Sequence, residues 1–328
     1  MLNPPSIRFG AVVIGRNEGE RLHRCLRSLS GATAVVYVDS GSTDGSVKAA
    51  RTLGADVVEL DTDNPFTAAR ARNVGFRRLR EIAADLLYVQ FVDGDCELDE
   101  RWPQNALAFV TEDESIAAVR GQCREQHPEQ SIYNWLCDQE WQGPAGEVAA
   151  CGGIAMMRTK AVEAVAGYRD ELIAGEEPEM CIRLRAAGWR IWRLDCEMTR
   201  HDAAMTHFSQ WWRRSLRAGY AFAQGAYLHG SSPERFWVWE SRRAWLFGVW
   251  VPIACLLFGL AFGPWGWTAW LVYPAYLLQK IVRGPGPLRD RTRLALFYVL
   301  AMFPQGLGQL KFLRDRLAGR QARIIEYK

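Results

Sequence analysis

From Ala244 to Gln279 the chain carries no charged residue, and Gly263-Pro264-Trp265-Gly266 interrupts this run in its middle. The two halves, roughly 18 residues each, are just long enough to cross a hydrocarbon layer near 30 Å. Arg242 and Arg243 precede the first half, Lys280 and Arg283 follow the second, and the turn between is uncharged. The positive-inside rule then places both ends in the cytoplasm. A buried hairpin of a soluble protein would be as apolar, but the Trp-rich flanks favour a lipid interface. The expectation is a transmembrane helical hairpin over residues 236–283. Leu294–Leu310 is a third apolar stretch, broken by Pro304, Gly306 and Gly308. Its sequence fits a spanning, re-entrant or interfacial helix followed by a basic cytoplasmic tail, within residues 284–328.

Charge follows the same division. From Arg283 onward there are ten Lys or Arg against three Asp or Glu, so the net charge of +3 combines a tail at +7 with a body near −4. A mildly acidic body argues against nucleic acid as partner, and a basic tail argues for an anionic membrane surface. The eight cysteines, scattered from Cys25 to Cys255 without a Cys-x-x-Cys pair, read as reduced cytoplasmic thiols. Ala11–Ile14 is too short for the apolar core of a signal peptide and reads as part of a strand.

Residues 1–235 are long enough for a full α/β core. Ile7–Ile14 is expected as a first strand, followed by Gly15-Arg16-Asn17-Glu18 and a helix with Leu22, Cys25, Leu26 and Leu29 at helical spacing. Ala34–Val38 is a second strand, ending in the dense turn Asp39-Ser40-Gly41-Ser42-Thr43-Asp44-Gly45-Ser46. Asp56–Leu60 gives a third strand, and Thr67–Ala83 an arginine-rich helix containing Arg72. Strand, helix, strand in this rhythm implies parallel pairing. Trp102–Thr111 reads as a helix, Ala117–Gln122 as a strand, and Cys123–Gly146 as irregular. Cys151–Met157 reads as a strand whose glycines admit a ligand close to the backbone, and Gly175-Glu176-Glu177-Pro178-Glu179 opens a helix to Ala187.

Leu86–Val92 is a short buried strand, so Asp93 and Asp95 fall just past its carboxyl end, the rim where open α/β sheets bind ligands. Two carboxylates facing one small space repel unless a cation lies between them, and such oxygen ligands suit Mg²⁺ or Mn²⁺. The same residues would also make an ordinary Asp-Gly turn. Joined to the acidic helix start and the membrane segment, the pair suggests transfer from a nucleotide diphosphate. The metal would neutralise the departing diphosphate, while a glutamate, Glu177 by preference, takes the acceptor proton. Repulsion from Glu176 is expected to make Glu177 more basic.

Val12-Val13-Ile14-Gly15-Arg16-Asn17-Glu18, Val38–Gly45, Ala71-Arg72-Asn73-Val74-Gly75, Asp93-Gly94-Asp95 and Gly175–Arg185 occur in the order seen in inverting family 2 glycosyltransferases, and residues 7–225 resemble that family. The resemblance implies an α/β GT-A domain, Rossmann-like with a mostly parallel sheet, followed by C-terminal membrane helices. It implies that Ile14, Arg16 and Glu18 hold the nucleoside, that Asp39 meets the base edge and Arg72 the base or phosphate, and that Asp93 lies near ribose and metal. Asp95 would bind the metal directly, with His201 beside it. The base would be Glu177, where relatives commonly carry aspartate; the longer side chain leaves Glu176 or Glu179 as substitutes. Gln210-Trp211-Trp212-Arg213-Arg214 is similar to the Gln-x-x-Arg-Trp signature of membrane polysaccharide synthases, but has Arg214 in place of Trp. Gln210, Arg213 and Arg214 would then meet diphosphate or a lipid phosphate; an interfacial amphipathic helix would show the same residues.

The expected activity is transfer of one sugar from a nucleotide-sugar donor to a lipid-linked or nascent glycan acceptor at the cytoplasmic face of the inner membrane. A polyprenyl phosphate acceptor is a close variant. A nucleotidyltransferase would need a Gly-rich basic loop after its first strand, which Gly15-Arg16-Asn17-Glu18 does not supply. An inactive membrane assembly partner would be expected to have lost an acidic residue that is present here.

Overall fold

The computed structural model describes residues 8–61 and 63–320; Ile7, at the start of the first expected strand, lies outside them. In chain order the elements are β1 (Phe9–Gly15), α1 (Glu20–Ser28), β2 (Ala34–Asp39), α2 (Ser46–Thr52), β3 (Asp56–Glu59), α3 (Ala68–Ile82), β4 (Tyr88–Asp93), β5 (Cys96–Leu98), α4 (Trp102–Glu112), β6 (Ile116–Glu125), α5 (Ile132–Trp141), β7 (Gly146–Glu147), β8 (Ala155–Arg158), α6 (Thr159–Ala164), α7 (Glu176–Ala186) and β9 (Arg190–His201). Then follow α8 (Phe208–His229), α9 (Val238–Trp245), a π turn (Leu246–Trp250), α10 (Val251–Phe262), a 3-10 stretch (Gly263–Leu271), α11 (Val272–Arg283) and α12 (Leu288–Leu317). Among the described residues these divide into two compact units, one up to Leu172 together with Glu176–Thr206, the other Ile173–Gly175 together with the chain from His207 onward.

The first unit is a three-layer α/β domain. Its sheet runs β3-β2-β1-β4-β8-β6-β9-β5, with β7 paired to β9. The β1–β2, β2–β3, β1–β4 and β6–β9 pairs are parallel, and β8 is antiparallel to both β4 and β6. Alternation along β1 explains the two layers: Ala11 and Val13 join the core with Leu22, Cys25 and Trp102, while Val12 and Ile14 join that with Phe76, Leu79 and Met180. Segments expected as strand or irregular differ in two places. Only Ala155–Arg158 of the glycine-bearing stretch is strand, because Gly152 adopts a positive φ of 77° and leaves the ladder. The segment after Cys123 holds the helix α5, capped by the Ser131 hydroxyl, which accepts from the Asn134 N–H. The twelve-residue β9, whose charges hide its alternation, adds a strand that the hydrophobic pattern alone does not reveal.

In the second unit, the helical stretch Val238–Arg283 is long and apolar enough to cross a membrane by length and composition. The chain reverses at Gly263, whose φ is 59°, and a Cβ at Gly266 would fall 2.0 Å from the Phe258 carbonyl oxygen. Leu260 and Trp265 are 71% and 83% exposed. α12 continues through Pro304, and its glycines seat it on α8: a Cβ on Gly308 would fall 2.3 Å from the Leu216 carbonyl, and one on Gly219 would fall 2.1 Å from that of Gln305. The Gln309 amide adds a 2.9 Å hydrogen bond to the Gly219 carbonyl.

Close packing of α3 on the sheet rests on one missing side chain. A Cβ at Gly75 would meet Val12 at 2.4 Å and Val38 at 2.9 Å. Gly75→Leu is expected to destabilise the fold by about 2–3 kcal/mol through overpacking. Gly31→Ala, which meets nothing within 4 Å, serves as the control. Urea denaturation of the two variants measures the difference.

Candidate active site

The loops after β1, β2 and β3 form one edge of the site. Asn17 cross-links the first two: its Oδ1 accepts the Thr43 N–H at 2.8 Å, and its own N–H donates to the Ser42 hydroxyl at 2.8 Å. Ile14 is buried and Arg16 is exposed, its guanidinium 5.8 Å from the centre of the Phe66 ring. Gly41 lies against the same ring, where an added Cβ would be 3.3 Å away. Phe66 was missed in the sequence; its only signal is a lone aromatic in the polar loop Asp61–Thr67. Glu18 pairs with Arg21 at 2.8 Å.

Asp39, expected to meet the base edge, is also held within its own loop. Its carboxylate is 2% exposed and accepts N–H groups from Gly41 and Ser42 at 2.9 and 2.7 Å and the Tyr37 hydroxyl at 2.9 Å. These bonds shape the loop through the Asx-turn chemistry of aspartate after a strand.

The carboxyl end of β4 carries Asp93, the turn at Gly94, and Asp95. Gly94 donates its N–H to the Ile14 carbonyl at 2.8 Å, tying this turn to β1. Of the two aspartates expected to share one cation, Asp93 meets Arg72 and Asp95 faces His201. Arg72, reaching in from α3, donates to Asp93 Oδ1 at 2.8 Å and to Glu176 Oε1 at 2.7 Å. Its side chain is 3% exposed. Burial pulls the Arg72 guanidinium down, but Asp93 and Glu176 outweigh it and hold it above its ordinary value. Arg72 thus ties α3, β4 and α7 together rather than waiting free for a ligand.

Asp95 Oδ2 lies 3.2 Å from His201 Nε2 at the end of β9, and the imidazole stacks flat on Trp141, 4.6 Å between ring centres. Cys96 completes a group whose ligand atoms lie within 4.8 Å of one another. Burial pushes the Cys96 thiol up, so it stays protonated and offers little to a hard cation. The donor set that fits a divalent ion is therefore one carboxylate and one imidazole.

The acidic helix start sorts into three different roles. Glu179 is 1% exposed and bound by Arg169 at 2.7 Å and by Arg183. Glu176 belongs to Arg72 and its charge is compensated, which removes the expected repulsion from its neighbour. Glu177 has no arginine or lysine partner among the described residues. Its Oε1 accepts the Cys151 N–H at 2.6 Å and the Cys181 S–H at 2.9 Å, and burial pushes that thiol well up. The glycines after Cys151 admit side chains rather than a ligand: a Cβ at Gly153 would lie 2.7 Å from Arg72, and one at Gly152 3.3 Å from Arg120.

Gln210, Arg213 and Arg214 lie on α8, in the other unit. The Gln210 side chain accepts the His207 N–H at 2.9 Å and so caps its own helix, while Arg213 is exposed and Arg214 half-buried.

Two expectations follow. Arg72→Met leaves two carboxylates without their cation and should cost about 3 kcal/mol in urea denaturation, and adding Glu176→Met should recover part of that loss. For His201, burial pulls the imidazole down, but Asp95 and Cys96 outweigh it and hold it well above its ordinary value. Such a pair stabilises the fold fully below about pH 6.5 and loses its effect as pH rises through the raised value. In EDTA, the stability gap between wild type and His201→Gln should narrow as pH rises above about 6.5; a constant or widening gap would contradict the ion pair.

Comparison with known proteins agrees with this architecture. Residues 11–165 match the model of Glycosyl transferase family 2. The succinoglycan biosynthesis protein ExoA of Rhizobium meliloti (strain 1021) is 30% identical over 188 residues, covering 54% of this chain and 55% of that protein. The chain thus spans about half the length of this curated relative. The fold is similar to that of the mannosyltransferase PcManGT from Pyrobaculum calidifontis, solved in complex with GDP-Man and Mn²⁺, with a TM-score of 0.59, 20% identity, and coverage of 94% of this chain and 88% of that one. The match to Glycosyl transferase family 2 over just under half of the chain, together with the fold, supports a transferase of GT-A architecture.

Proposed function

We propose that the protein transfers a sugar from a nucleotide diphosphate donor to a glycan or lipid-linked acceptor, with inversion, at the cytoplasmic face of a membrane during surface polysaccharide synthesis. The observation that carries this reading is the grouping of Asp95, His201 and Arg72-bound Asp93 at the carboxyl end of β4. The ExoA relative supports the polysaccharide setting and PcManGT the nucleotide-sugar donor with Mn²⁺. Asp95 and His201 would hold the ion, and an oxygen and nitrogen set suits Mn²⁺ at least as well as Mg²⁺. When bound, that ion supplies positive charge for the leaving diphosphate.

The remaining steps belong to the chain. The Arg16–Phe66 edge receives the nucleoside, and the Asp39 turn holds that edge in shape. Arg72 keeps Asp93 oriented at the site. Glu177 takes the acceptor proton through Oε2, since Oε1 is fixed by Cys151 and Cys181 and Oε2 accepts no hydrogen bond among the described residues. The hairpin α9–α11 inserts in the bilayer, because exposed Leu, Phe and Trp along it would otherwise face water. Arg243 and Lys280 then mark the level of the headgroups.

The test is a panel of nucleotide sugars with Mn²⁺ and membrane lipid extract, read as nucleotide release. Asp95→Ala should abolish Mn²⁺-dependent donor binding. Glu177→Gln should keep donor affinity while losing at least about a hundredfold in transfer. Release from no donor in the panel would remove the catalytic reading, and an active Glu177→Gln would move the base elsewhere.

A further inference from the structure

Arg120 and Arg193 are direct partners on the parallel strands β6 and β9. Like charges placed opposite each other across a ladder are destabilising, and a carboxylate usually relieves them. Here, among the described residues, none lies within ion-pair distance of either guanidinium. Asp195, the acid nearest in charge to Arg193, accepts from the Gln122 amide at 2.5 Å instead. Arg193 is only 6% exposed, and the buried Nε atoms of both arginines have no hydrogen-bond partner. Burial pulls Arg193 below its ordinary value and Arg120 pulls it further.

The two cations continue the sheet face on which α7 packs. Ala118 and Ile191, two residues before them, share a core with Met180 and Cys181 of that helix. Arg120 lies against Gly152, next to Cys151, whose N–H fixes Glu177. Arg193 reaches the other way, to the Trp141 carbonyl at 3.1 Å and against Gly143, in the segment between α5 and β7. The pair therefore stands between the proposed base and the loop that follows the His201-stacking Trp141.

We propose that Arg120 and Arg193 form a seat for an oxyanion, phosphate or carboxylate, carried by the acceptor. An oxyanion reaching the guanidinium groups would offset the repulsion between the strands. Assigning it to the acceptor rests on Glu177 being the base, since the acceptor hydroxyl must approach that residue. The existence of the seat does not depend on that reading.

The experiment titrates the full chain in dodecyl maltoside, with EDTA present and no donor, using farnesyl phosphate, glucuronate and inorganic phosphate. Thermal shift and tryptophan fluorescence report binding. At least one probe should raise the melting temperature of wild type and need a tenfold or higher concentration in Arg120→Gln. Arg193→Lys, which keeps the charge, should retain binding within a few-fold. Farnesyl phosphate acting well below the other two assigns a lipid phosphate, and glucuronate acting first assigns an acidic sugar. Inorganic phosphate matching farnesyl phosphate would sink the acceptor assignment. Without ligand, Arg120→Gln should melt at or above the wild-type temperature, because repulsion is relieved. No binding by wild type, equal binding by Arg120→Gln, or a lower unliganded melting point for that variant would overturn the seat itself. Anion binding together with an active Glu177→Gln would overturn only the acceptor role.

Discussion

One guanidinium holds the centre of this domain. Arg72 leaves α3, is almost wholly buried, and joins the carboxylate at the end of β4 to the first acid of α7. Without it, two carboxylates would be gathered near the same rim with no charge to balance them, at a cost of several kcal/mol. The approach of α3 that delivers Arg72 depends in turn on Gly75, three residues along the helix, whose missing side chain lets the helix rest on Val12 and Val38. Packing and electrostatics are thus coupled: the helix must come close for the arginine to reach.

The acids of the site are distinguished by their neighbours rather than by their type. Glu176 and Glu179 are matched to arginines, Asp95 to an imidazole, and Glu177 to a backbone N–H and a thiol. A buried arginine fixes its carboxylate by charge as well as by hydrogen bonds, whereas Glu177 is held by neutral donors alone.

The second unit obeys other rules. Its hairpin leaves Leu260 and Trp265 largely uncovered, while α8 and α12 meet through glycines that let backbones approach within side-chain distance. Small-residue contacts of this kind are a common way for helices to associate where apolar burial contributes little. The Gln309 to Gly219 hydrogen bond fixes the register of the pair.

Much of this was legible in the residues themselves. Alternation and turn chemistry placed β1, β2, β4, α3 and α7 nearly where they stand, because those segments are apolar, regular and bounded by glycine or aspartate. The ordered motifs also singled out Asp93, Asp95 and the acidic helix start, and the uncharged run marked the apolar helical stretch. The pattern did not reveal β9, whose alternating charges mask its period, or α5, whose capping serine sits in a polar loop. Nor could it tell which cation each acid would meet. Asp39 reads the same whether it faces a ligand or closes its own turn, and Arg120 and Arg193, more than seventy residues apart, become neighbours only when β6 and β9 pair. Local sequence fixes what a segment can form, since backbone sterics and apolar spacing act within a few residues; charge pairing is settled by which strands and helices come together, and only the folded chain decides that.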